Sequence, residues 1–89
     1  MITMAFIIHW SRDADRFLAR LPKQIARRIV HKVDAIKTNP FHFLEHYEGD
    51  DFYKLRIGCY RLLVDVYLQN KVISIRVIGH RRNVYKRQS

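Results

Sequence analysis

Residues 53–66 read YKLRIGCYRLLVDV, and the reading of this stretch decides the fold. Apolar and polar residues alternate on both sides of Gly58-Cys59, the period-two pattern of a half-buried strand pair. Glycine at the first central position of a two-residue connection is what a type II′ hairpin turn requires. Such a turn fixes the register: Ile57 opposes Tyr60, Arg56 opposes Arg61, Leu55 opposes Leu62 and Lys54 opposes Leu63. One face then carries Tyr53, Leu55, Ile57, Tyr60, Leu62, Val64 and Val66, a continuous apolar surface. The other carries Lys54, Arg56, Arg61, Leu63, Asp65 and Tyr67. Like charges directly across a strand pair are unfavourable by about 0.2–1 kcal/mol. Arg56 facing Arg61 is therefore a local conflict, of the kind found where function requires it.

Downstream, residues 72–78 read as a third strand. If Gln69-Asn70 forms the next tight turn, Ile73, Ile75 and Val77 extend the apolar face, while Ser74 and Arg76 join the basic one. After Gly79 comes HRRNVYKR, residues 80–87, in which four cations accompany His80 and Tyr85. Cations for phosphates and aromatic planes for splayed bases are the means by which single-stranded RNA is held. Arg76, His80, Arg82 and Lys86 are the candidate RNA-binding residues.

Upstream, residues 4–10, MAFIIHW, have the short β-branched and aromatic character of a buried strand. Ser11 is placed to cap a helix, with Asp13 in its first turn. Ala14, Phe17, Leu18 and Leu21 form one apolar stripe, and Ile25, Ile29, Val33 and Ile36 form a second after Pro22. Pro22 suits a helix start and Thr38-Asn39-Pro40 a helix end. Residues 44–47 suggest a short strand before a turn at 48–51. The expected architecture is α+β: an N-terminal strand, a helical hairpin, then a three- to four-stranded antiparallel sheet with the helices on one face.

At 89 residues the chain suits one domain, residues 1–89, with no linker, repeat or low-complexity tract. Seventeen Lys and Arg against eight Asp and Glu give a formal charge of +9. That much self-repulsion in so short a chain points to an anionic partner, with nucleic acid first. Cys59 is the only cysteine, which excludes an internal disulfide or a thiolate metal cluster and fits a reducing cytoplasm. No run approaches the ~20 apolar residues of a membrane span, and MAFIIHW lacks the flanks of a signal sequence. No membrane partner, metal or cofactor is expected.

The order strand, helical hairpin, three strands, with YKLRIGCYRLLVDV followed by VIGHRRNVYKR, resembles the RelE family of toxins within the RelE/ParE superfamily. The resemblance runs from Ile8 to Lys86. It implies the RelE/ParE-like fold, a type II toxin that cuts messenger RNA in the ribosomal A site, and a neutralising RelB-like antitoxin that wraps the toxin. By position, Lys54 and Arg56 match the two basic residues of the family's first hairpin strand, and Arg61 the arginine opening the next. Arg81 matches the arginine after the last strand and Tyr85 the C-terminal tyrosine. His80 stands where a typical member has lysine, and the segment before the tyrosine is one residue shorter.

The resemblance thus implies Lys54, Arg56, Arg61, Arg81 and Tyr85 as catalytic residues. Metal-independent RNA cleavage needs a base for the ribose 2′-hydroxyl, cations for the pentacoordinate phosphorane and an acid for the leaving 5′-oxygen. The base is Lys54 or His80; other branches of the family use Glu or His, which leaves Glu45, His46 and Glu48 open as well. Ribosomal RNA is a further expected partner, with Arg27, Arg28 and Lys32 as one possible contact. The alternatives are a ParE-like gyrase-inhibiting toxin, a non-catalytic RNA-binding module, and an interaction domain for an acidic protein.

Overall fold

The computed structural model describes residues 5–46 and 52–80. Strand β1 spans Ile7–Trp10, helix α1 Arg12–Arg20 and helix α2 Lys23–Ala35, followed by a 3-10 turn at Ile36–Thr38. Helix α3 is a single turn, Pro40–Phe43, and strands β2 (Glu45–His46), β3 (Tyr53–Ile57), β4 (Tyr60–Tyr67) and β5 (Val72–His80) complete the fold.

The helices begin and end for local reasons. Ser11, in extended conformation, accepts the Ala14 N–H on its Oγ at 3.0 Å and so caps α1. The same hydroxyl donates to the Arg76 carbonyl at 2.6 Å, which ties the helix start to β5. Leu21 precedes Pro22 and is extended, with ψ 154, because the proline ring disfavours helical backbone there. The second apolar stripe faces inward as the spacing predicts: Ile29, Val33 and Ile36 are buried, and Ile25 packs against them. The proline of Thr38-Asn39-Pro40, read as a stop, also starts α3, in which it occupies the first turn.

The sheet has five strands in the order β1-β5-β4-β3-β2. The three strands of the C-terminal half are antiparallel neighbours, and β2 adds a two-residue antiparallel edge. The N-terminal strand joins the same sheet by pairing parallel to β5, from Ile7 opposite Val72 to Trp10 opposite Ile75. This makes the sheet mixed. It also corrects the expectation of a buried first strand: β1 is an edge, Ile8 and Trp10 pack on the core, and Ile7 is 67% exposed.

Gly58 has φ +59 and Cys59 no positive φ, the signature of the type II′ turn, and every pair of the expected hairpin register is present. The second connection differs from expectation. Tyr67 pairs with Val72, so the turn is four residues long, Leu68–Lys71, with Lys71 in left-handed conformation at φ 56. The β4–β5 ladder then slips by one residue: Leu63 pairs with Val77 but Val64 with Ile75, which leaves Arg76 as the extra residue of a bulge. The bulge inverts the alternation beyond it. Val77 therefore lies across from Leu63 on the basic side, and Ile78, 2% exposed, takes the core position opposite Leu62.

The core lies between the helices and the first face of the sheet. Ala14, Ile29, Val33, Leu62, Val64, Ile73 and Ile75 are each fully enclosed. Among the described residues no helix is long and apolar enough to cross a membrane.

Candidate active site

The second face of the sheet is built in rows by the register. Glu45, Lys54, Leu63 and Val77 form one row across β2, β3, β4 and β5. The next is Arg56, Arg61 and Gly79. Gly79 is the one position in that row without a side chain, and it is buried.

Arg61 is the only buried charged residue among the described residues, at 9% exposure, while Arg56 directly opposite is exposed. Arg61 shares the enclosed stretch of the central strand β4 with Leu63, which is 3% exposed. A guanidinium held low in such a floor keeps its fork fixed, with little rotamer freedom left to lose on binding.

The bulge places Arg76 on this same side. Its Nε lies 3.5 Å from the Asp65 carboxylate, and its guanidinium carbon sits 6.0 Å from the centre of the Phe52 ring. Side chains re-aimed by bulges recur beside active sites. Asp65 also accepts from the Tyr67 hydroxyl at 3.5 Å.

Of the expected site residues, Lys54, Arg56, Arg61 and Arg76 thus share one face. His80 does not join them. It pairs with Tyr60 on the helix side of the sheet, with ring centres 6.1 Å apart, and Tyr60 in turn meets Phe17 of α1 at 6.1 Å. The physical reason is the bulge, which inverts the alternation after Arg76. Arg81, Arg82, Tyr85, Lys86 and Glu48 lie outside the described residues. His46 opposes Tyr53 on the helix side, 5.1 Å between ring centres.

Glu45 is the one carboxylate candidate that the register brings beside Lys54. What sequence reasoning lacked was the β2–β3 pairing, because the strand signal in residues 44–47 is too short to carry a register. Phe52 under Arg76 had no signal at all, since it depends on the bulge.

A family model described as the ParE toxin of type II toxin-antitoxin systems, parDE, matches residues 8–85. The chain belongs to the ParE toxin family. It is a type II toxin within the RelE/ParE superfamily. A relative from Methanocaldococcus jannaschii, the "Putative toxin RelE1", is 27% identical over 93% of this chain and 98% of its own.

Among solved structures, the archaeal RelE of Pyrococcus horikoshii, in complex with RelB, is 27% identical with a TM-score of 0.72, covering 86% of this chain and 96% of that one. The RelBE2 toxin-antitoxin complex of Mycobacterium tuberculosis has a TM-score of 0.77 at 22% identity, over 85% and 91% of the two chains. At that identity the likeness is one of fold. These toxin structures match the α+β architecture and the five-stranded mixed sheet.

Proposed function

We propose that this toxin is a metal-independent endoribonuclease that cuts messenger RNA in the ribosomal A site and so halts translation in the cytoplasm. The observation that carries the proposal is the cross-strand pair Arg56 and Arg61, with Lys54 and Arg76 on the same face. Four cations gathered on one face of a folded sheet suit a scissile phosphate.

In the proposed reaction Lys54, as the neutral amine, takes the proton of the ribose 2′-hydroxyl. The 2′-oxygen attacks the phosphorus, and the charge of the phosphorane is held by Arg61 and Arg81. Arg56 assists, and Arg76 with Arg82 and Lys86 holds the flanking strand, while His80, on the helix side of the sheet, takes no part. The 5′-oxygen departs with a proton, for which Tyr85 is the proposed donor if it is not stacked on a base. The products are a 2′,3′-cyclic phosphate and a 5′-hydroxyl. Fixed donors of this kind act where charge develops, in a site already organised before reaction. A RelB-like acidic antitoxin would neutralise the toxin by covering the same face.

The test is to map message ends in a translating extract with and without the protein. Cuts at A-site codons bearing cyclic phosphate ends are expected. The matched family model, described by its ParE members, favours a second reading, inhibition of DNA gyrase. Intact message together with loss of supercoiling by purified gyrase would establish that reading instead.

A further inference from the structure

The second face of the sheet is not basic along its whole length. Its far end is a row across three strands, Ile7 on β1, Val72 on β5 and Tyr67 on β4, with Leu68 following. Ile7 is 67% exposed, Tyr67 50% and Leu68 58%. The core does not require this: Ile8 and Trp10, which alternate with Ile7, are the residues of β1 that pack inward. An exposed edge strand is ordinarily blunted with charge, and here it carries isoleucine.

Between this row and the arginines lies a polar one. His9 Nδ1 is 3.4 Å from Ser74 Oγ, and Asp65 stands across from Ser74. Asp65 accepts from Tyr67 and pairs with Arg76. Nucleic acid is a poor fit for the apolar end. Of its residues only Tyr67 offers a ring, and its hydroxyl is engaged by the Asp65 carboxylate; Ile7, Val72 and Leu68 give a base nothing to stack on. A protein segment with an apolar side fits it well, and the +9 charge of the chain selects an acidic one.

We infer that the Ile7–Val72–Tyr67 row is the apolar anchor on which the acidic antitoxin docks, distinct from the basic end that its carboxylates cover. The inference rests on the toxin–antitoxin reading above. Tyr67 and Arg61 are six residues apart on one strand, or about 20 Å at a rise of 3.3 Å. A segment engaging both ends therefore needs about six extended residues, or about thirteen in a helix. The two ends also differ kinetically. Exposed charges govern the encounter and its salt dependence, whereas buried apolar contacts govern how long the complex lasts.

The test uses the full chain and the candidate antitoxin, the protein encoded beside the toxin gene, purified separately and mixed. Ile7→Lys and Tyr67→Lys should each weaken the complex about tenfold or more, chiefly through faster dissociation, with little change in salt dependence. Cleavage of ribosome-bound message should stay at the wild-type rate. The double variant Ile7→Thr/Tyr67→Thr, which keeps β-branched or β-tolerant side chains on the strands, should weaken binding in the same direction with an unchanged melting temperature.

Variants that bind like the wild type overturn the inference. So do variants that keep the complex but lose RNA cleavage, which assigns the row to RNA, and a wild-type dimer in ultracentrifugation that the lysine variants abolish, which assigns it to a second copy. A wild-type chain that does not bind the adjacent protein at all overturns the partner reading itself.

Discussion

Arg56 and Arg61 stand directly across from one another on β3 and β4, the first exposed and the second buried. The arrangement costs about 0.2–1 kcal/mol relative to a neutral pair. It is imposed by a turn that leaves no freedom of register, so the cost is not relieved by a slip.

Arg56→Glu replaces the like-charged pair with an opposite-charged one. It is expected to stabilise the fold by about 0.5–1 kcal/mol, which for a domain of this size raises the melting temperature by about 4–8 °C per kcal/mol. Toxicity on expression should fall at the same time. Calorimetry and a growth assay check the two halves, and an equally toxic, less stable variant would show that the pair plays no part in the site.

Gly58 carries φ +59, and a Cβ built there meets nothing within 4 Å. The penalty for Gly58→Ala is then one of backbone conformation alone, about 1–2 kcal/mol. Gly58→Asn, which tolerates the left-handed region better, should lose less. Denaturant titration of both variants measures the difference, and equal losses would argue that the turn changes type.

Ser11 holds both the first turn of α1 and the Arg76 carbonyl. Ser11→Ala should cost about 1–2 kcal/mol, at the upper end for a lost cap because a second bond goes with it. Since that bond lies at the bulge, the variant should also lower RNA affinity. Ser11→Asp, which restores the cap but cannot donate to a carbonyl, separates the effects: stability should return in part and affinity should not.

Much of the site was legible because its pieces are local. The Gly58-Cys59 turn by itself fixes the four cross-strand pairs read from the sequence, and all four occur. The helix stripes were equally plain, since they repeat over several turns. The features that escaped are the long-range ones. Whether β1 pairs with β5 depends on two segments more than sixty residues apart, and an apolar run does not say whether it lies at the centre or the edge of a sheet.

The bulge at Arg76 escaped for a different reason. A two-residue turn at Gln69-Asn70 and the observed four-residue turn both set Tyr67 opposite Val72, so the turn gives no sign of the extra residue, and one residue added at Arg76 reverses every later position. That single slip moves Val77 to the basic side and His80 to the helix side. It also leaves Lys54 as the base nearest the arginine pair in the proposed reaction.

Arg76, exposed and aimed by the bulge, is proposed to meet the RNA backbone away from the scissile bond. Arg76→Ala should weaken binding to single-stranded RNA alike for all sequences and reduce the slope of log K against log salt by about 0.7, one phosphate contact. A sequence-dependent loss with an unchanged slope would instead place Arg76 against a base.

The rate at which Arg61→Ala cleaves ribosome-bound message, measured against the wild type under single-turnover conditions, tests the proposed site most directly. A fall of about 10²–10³ is expected, the range for removing one donor that acts on developing charge, with the variant folded and still binding the antitoxin through its Ile7–Val72–Tyr67 row. Cleavage at the wild-type rate would contradict the assignment of the Arg56–Arg61 face as the catalytic surface.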